Sequence, residues 1–187
     1  MARGFDFGDT WVDVDGNGCD TRNDILRRDL SGEVMNDSCE VASGNLANPY
    51  TGQKLKFTRG RSTSANVPID HVIPLHLAWE LGAYKWQAGK RVAFANDPAN
   101  LLATDRASNS AKSDQGPDTW LPANSKYRCT YVMRFTRVAY LYKLSLTSAI
   151  KKAISSQLGS CKVVVGAPTL LTPLAPSLWA NAAHWAG

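Results

Sequence analysis

The sequence predicts a single α+β domain, mostly helical, with short strands interleaved among the helices and two disulfides stapling the chain. Three observations lead there. The 187 residues, 44% apolar and 20% charged, lie in the globular range and suffice for one core, since chains of this size bury roughly 70% of the surface they expose when unfolded. Apolar residues recur at helical spacing in the second half and alternate over short runs elsewhere. The four cysteines, Cys19, Cys39, Cys129 and Cys161, include no Cys-x-x-Cys pair that would hold zinc or act as a redox dithiol, so disulfides and an oxidising compartment are expected. Of the three connectivities open to them, Cys19–Cys39 and Cys129–Cys161 close loops of moderate length and are favoured.

The elements follow in order. Met1-Ala2-Arg3-Gly4 leads into polar residues with no apolar leader, as in the mature form of an exported protein. Between Asp6 and Asn17, Trp11, Val12 and Val14 alternate briefly like a strand before the turn Asp15-Gly16-Asn17-Gly18. Asp13, Asp15 and Asn17 approach a calcium-loop pattern, but the glycine is displaced and no closing glutamate follows, which favours a plain turn. Asp20 or Thr21 can cap a helix, with Asp24 completing a capping-box-like pattern and Ile25, Leu26 and Leu30 forming its buried stripe. A Gly- and Asn-rich connection then runs from Gly44 through Pro49 to Gly52, ahead of an alternating strand at Lys54 to Phe57.

Val67 to Pro74 reads as a strand ended by proline, and its alternation sends Asp70 and His71 to opposite faces unless the strand bends. Helical spacing covers Leu75 to Trp86 and again Lys90 to Ala95, before Asp97-Pro98 breaks it. Leu101 to Thr104 is a short strand, after which Asp105 or Ser108 starts a helix. The order is therefore strand, helical insertion, strand, helix. Trp79, Trp86 and Trp120 are expected to pack the insertion and the irregular segment after it. Two structural helices follow over about 127–160, one with the core stripe Tyr131, Phe135, Val138 and Tyr142, the other capped by Thr147 and carrying Ile150, Ile154 and Leu158. The tail at 162–187, free of Asp, Glu and Arg and holding Pro168, Pro173 and Pro176, reads as an extended or disordered packing segment and not a membrane span.

The 21 Lys and Arg against 16 Asp and Glu, a formal charge of +5, favour polyanionic partners without specifying one. Phosphodiester hydrolysis needs a base to activate water and positive charge to offset what builds on the phosphate. A histidine, an acid and an amide supply this together: imidazole accepts a proton near neutral pH, and carboxylate and amide oxygens suit a hard cation.

Ile69-Asp70-His71-Val72-Ile73-Pro74, then Asn100-Leu101-Leu102, then Asn109 with Lys112-Ser113-Asp114, resembles the HNH (His-Asn, ββα-metal) nuclease motif. The form is that of secreted HNH proteins, which the chain also resembles at Gly18-Cys19-Asp20-Thr21-Arg22-Asn23, Phe94-Ala95-Asn96-Asp97, Trp120-Leu121-Pro122 and Cys129-Thr130-Tyr131. The stretch from Asp70 to Asp114 is similar to the HNH domain of CRISPR effector nucleases as well. The resemblance implies a ββα-metal finger at about 67–114 within a domain at 1–161. It makes His71 the general base, Asp70 and Asn109 the ligands of one divalent cation, and Asn100 the residue that fixes the hairpin and orients the His71 ring. Mg²⁺ is the first choice of ion, with Mn²⁺ or Ca²⁺ as alternates and Zn²⁺ disfavoured by oxygen donors. The third motif position is Asn109 instead of His, and roughly 28 residues separate His71 from Asn100, room for a helical insertion that compact modules lack.

Arg22 and Lys112 are the candidate phosphate contacts, each weighed against a plain solvated charge; Arg59, Arg61 and Arg106 are weaker ones. His76 is expected at the surface, and His184 is incidental. Together these describe a metal-dependent endonuclease acting on DNA, with RNA as an alternative, through phosphate contacts, with little sequence specificity and strong salt sensitivity. It is taken as a monomer with no membrane span. Two other classes stay open: a non-catalytic nucleic-acid-binding or surface module that retains the frame, and a structural metalloprotein.

Overall fold

The computed structural model describes residues 6–161; the C-terminal tail and His184 lie outside them. Helix α1 (Thr21–Asp29) starts at Asp20, whose carboxylate accepts the Asn23 amide at 2.8 Å and so satisfies one of the free N–H groups of the first turn. Asp24 closes no capping box with it; its carboxylate instead accepts from Asn17 Nδ2 at 3.1 Å. In the preceding turn, both carboxylate oxygens of Asp13 accept backbone N–H groups, those of Gly16 and Gly18 at 2.8 Å each.

Strands β1 (Leu30–Met35), β2 (Val41–Ala47) and β3 (Lys54–Thr58) form an antiparallel sheet in that order, with Leu46 opposite Leu30 on one side and Leu55 on the other. The start of the connection expected from Gly44, up to Ala47, is therefore strand. Gly44 lowers strand propensity, but a Cβ there would lie 3.0 Å from the Leu30 side chain. The glycine allows the close approach of β1.

A second, two-stranded sheet pairs β4 (Ile69–His71) with β5 (Leu101–Ala103), His71 opposite Leu101 and Asp70 opposite Leu102. The strand expected over Val67 to Pro74 shrinks to three residues, bracketed by Pro68 and Pro74, which have no N–H to donate to a ladder. Between the two strands lie α2 (Leu75–Glu80) and α3 (Ala88–Ala95). The single helix expected up to Trp86 breaks at Gly82, whose φ of +122° only glycine adopts without strain, and a short 3₁₀ turn follows at Ala83–Lys85. Helix α4 (Arg106–Lys112) then opens at Asp105, which accepts the Ser108 amide at 2.8 Å. Strand, insertion, strand and helix thus appear in the expected order.

Helices α5 (Ser125–Tyr142) and α6 (Ser148–Gly159) are the last elements among the described residues. The stripe of Tyr131, Phe135, Val138 and Tyr142 is fully buried and joins Ile150, Ile154 and the insertion in the larger of two hydrophobic clusters. The smaller cluster gathers α1, the three-stranded sheet, Ile69 and Leu101. Both clusters meet at the start of β5. There the guanidinium of Arg134 donates to the carbonyls of Ala99, Pro98 and Leu101 at 2.6–2.8 Å, and Arg28 donates to Pro98 and Leu101 at 2.8 and 2.7 Å. Disulfides join Cys19 to Cys39 and Cys129 to Cys161, the favoured pairing.

Candidate active site

His71 ends β4 as a half-buried residue. Its Nε2 lies 2.7 Å from the carbonyl oxygen of Ala95, the last residue of α3. A carbonyl only accepts, so Nε2 carries the hydrogen, and in the neutral ring the lone pair is on Nδ1. Burial lowers the pKa of the imidazole below its ordinary value; the Ala95 carbonyl and Asp70 oppose this and Lys112 reinforces it. The ring is thus held neutral, in one tautomer, near pH 7.

Asp70 turns to other partners, as strand alternation predicts. Its Oδ2 accepts the Tyr50 hydroxyl at 2.6 Å and its Oδ1 faces Lys112 Nζ at 3.0 Å. The same ammonium donates to the His71 carbonyl at 2.6 Å. Lys112 is fully buried, which corrects the expectation of a lysine facing solvent or phosphate: α4 turns its last residue inward, and the ammonium finds oxygen partners there. Burial lowers the pKa of Lys112, against the opposing pull of Asp70.

Asn100 is a clamp on the main chain. Its Oδ1 accepts Ile73 N–H at 2.8 Å, its Nδ2 donates to Ile73 O at 3.2 Å, and its own carbonyl accepts Val72 N–H at 2.7 Å. These bonds fix the chain just after His71. The bond to the ring itself comes from Ala95, which corrects the expectation that Asn100 orients the imidazole directly.

Asn109, one turn before Lys112, lines a shallow surface hollow of about 480 Å³ with Arg22, Arg106, Trp11, Ala65 and Pro68. Arg22 is not a plain solvated charge: its Nη2 donates to the carbonyls of Ser64 and Val67, both at 3.2 Å, which fixes the guanidinium at the hollow. Arg59 is structural, with Nε on Val41 O at 2.7 Å and Nη1 3.7 Å from Glu40. Arg61 and His76 are exposed, the latter 3.8 Å from Glu80 one turn on.

Sequence reasoning missed Tyr50, the Ala95 carbonyl and Asn48. Tyr50 sits in the β2–β3 loop, where Asn48 Nδ2 donates to Asp105 at 2.6 Å and Asn48 Oδ1 accepts Thr104 Oγ1 at 3.1 Å. That loop is thereby tied to the start of α4. Only the Asn-Pro-Tyr-Thr-Gly turn pattern marked it.

Over residues 20–156 the chain matches the family model described as GmrSD restriction endonucleases, C-terminal domain. It is similar to a protein of Arthroderma benhamiae named "Uncharacterized secreted protein", with 40% identity over 153 residues that cover 81% of this chain and 72% of that protein. No solved structure matches it. The matched span takes in both strands of the smaller sheet, the helical insertion and α4, together with His71, Asp70, Asn100 and Asn109. The chain belongs to the family of GmrSD restriction endonuclease C-terminal domains.

Proposed function

We propose that this is a secreted HNH-type endonuclease that hydrolyses phosphodiester bonds of DNA, and of RNA as a second substrate, with little sequence preference. The observation that carries the reading is the His71 ring, fixed through Nε2 on the Ala95 carbonyl with Nδ1 left as the basic nitrogen, at the end of the first strand of a strand–strand–helix unit. Family membership supports a nuclease. The two disulfides and the secreted relative support export.

In this mechanism Nδ1 of His71 takes a proton from a water molecule as its oxygen attacks phosphorus. The bond from phosphorus to the leaving sugar oxygen breaks, and that oxygen takes a proton from solvent. Arg22 and Arg106 hold the phosphate by charge-assisted hydrogen bonds. Asp70 and Asn109 would hold the cation, Mg²⁺ foremost. Both offer oxygen donors of the kind a hard cation takes; in this structure Asn109 lines the hollow and Asp70 Oδ1 meets the Lys112 ammonium at 3.0 Å. An ion there requires Lys112 to draw aside. Bound, it would stabilise negative charge on the phosphate.

Incubating wild type and His71→Ala with plasmid DNA, RNA and Mg²⁺ or Mn²⁺ tests the proposal. Wild type is expected to cut, chelator to stop it, and His71→Ala to lose roughly 10²- to 10⁴-fold in rate, the usual contribution of a general base. Absence of cleavage at every metal and pH would overturn it. DNA binding without cleavage, unchanged in His71→Ala, would favour a binding module.

A further inference from the structure

We infer that the hollow beside Asn109 is a nucleotide subsite in which Trp11 stacks on an unpaired base while Arg22 and Arg106 hold its phosphate, so that single strands and unpaired ends are the preferred substrates. The inference rests on the reading of this chain as acting on nucleic acid.

Four of the tryptophans lie among the described residues. Trp79, Trp86 and Trp120 have ring partners in the larger cluster, such as Phe7, Phe94 and Tyr50. Trp11 has no ring or cation–π partner among the described residues; it is partly buried against the smaller cluster and lines the hollow. Its φ of +62° is strained for a bulky side chain, so the surrounding structure must hold it. Three hydrogen bonds do so: Val12 N–H to Asn96 Oδ1 at 3.2 Å, Asn96 Nδ2 to Asp9 O at 3.1 Å, and Thr21 Oγ1 to Val12 O. Asn96 directly follows Ala95, whose carbonyl holds His71. The clamp on the tryptophan and the clamp on the base are therefore adjacent residues.

The lining matches one nucleotide. Trp11, Ala65 and Pro68 give apolar surface for a base, and Arg22 and Arg106 give donors for its phosphate. About 480 Å³ lies in the range of small-ligand clefts, roughly 300–1,000 Å³. In a duplex both faces of a base are covered by its neighbours, so an indole can stack only where the strand is unpaired.

The test uses the His71→Ala chain, so that nothing is cut, and measures binding of a fluorescent single-stranded oligonucleotide, the same oligonucleotide with abasic sites, and its duplex. Trp11→Gly, which suits the positive φ, is expected to weaken single-strand binding roughly tenfold or more. Trp11→Phe should retain most of it, and the abasic strand should bind both chains alike. A melting curve for each variant checks that it is folded at the assay temperature. Equal affinity of folded Trp11→Gly for intact and abasic strands, at the wild-type level, would overturn the inference even if the enzyme cuts DNA. A wild-type chain that cuts nothing but binds single strands through Trp11 would sink the hydrolytic reading and leave this one standing.

Discussion

Lys112 and Asp70 show most sharply what a single side chain does here. An ammonium with no solvent exposure is stable only because Asp70 Oδ1 and the His71 carbonyl receive it. Removing one member leaves the other charged and unpaired, at a cost of about 3–5 kcal/mol for a buried pair. Lys112→Met should therefore lower the denaturation midpoint sharply, and Asp70→Asn combined with Lys112→Met should recover much of the loss; urea titration of the three variants checks this. Little of the pairing was legible beforehand. Helical spacing puts Lys112 one turn after Asn109, but it does not say that the Lys112 side chain turns inward. Its partners Asp70 and the His71 carbonyl stand 42 and 41 residues away in the chain. Asp70 and His71, by contrast, are adjacent in a motif that singles them out in the sequence, though the Ala95 carbonyl that meets the ring lies 24 residues on.

At the scale of elements, α4 depends on its cap. Burial raises the pKa of the Asp105 carboxyl, but hydrogen bonds from Ser108 and Asn48 outweigh it and hold the value below that of an ordinary aspartate. A carboxyl depressed in the folded state stabilises the protein above its unfolded pKa, about 3.9, and that contribution is lost as pH falls through the folded value. Asp105→Ala is expected to cost about 1 kcal/mol near pH 7. The gap from wild type should close on acidification below about pH 4, which thermal melts across pH 2–7 would show. Strands β4 and β5, α4, α5 and α6 were all readable from periodicity and caps. Strand β2 was not, because Gly44 and Asn45 disguise it, and only its pairing with Phe57 and Lys56 reveals it.

At the scale of the whole molecule, the covalent links bear on stability more than on the site. Cys129–Cys161 joins α5 to the end of α6, across 32 residues of chain. Replacing both cysteines by alanine is expected to cost about 2–4 kcal/mol, read as a lower melting temperature with unchanged single-strand binding; loss of binding in the folded variant would mean that α6 does more than pack. The order of the elements and the favoured disulfide pairing followed from the sequence. The two hydrophobic clusters among the described residues, and the convergence of Arg28 and Arg134 on the carbonyls of Pro98 and Leu101, did not, because no local pattern encodes contacts between distant elements.

The partner that sets the tautomer of His71 is a peptide carbonyl, and no point substitution deletes a peptide carbonyl. Under the proposed mechanism, a screen of single mutants for lost activity would therefore recover His71 and pass over Ala95, leaving half of the device invisible to genetics. The vulnerable parameter is the length of α3: one residue inserted or removed between Ala88 and Ala95 would rotate the last turn by about 100° and carry the carbonyl away from the ring.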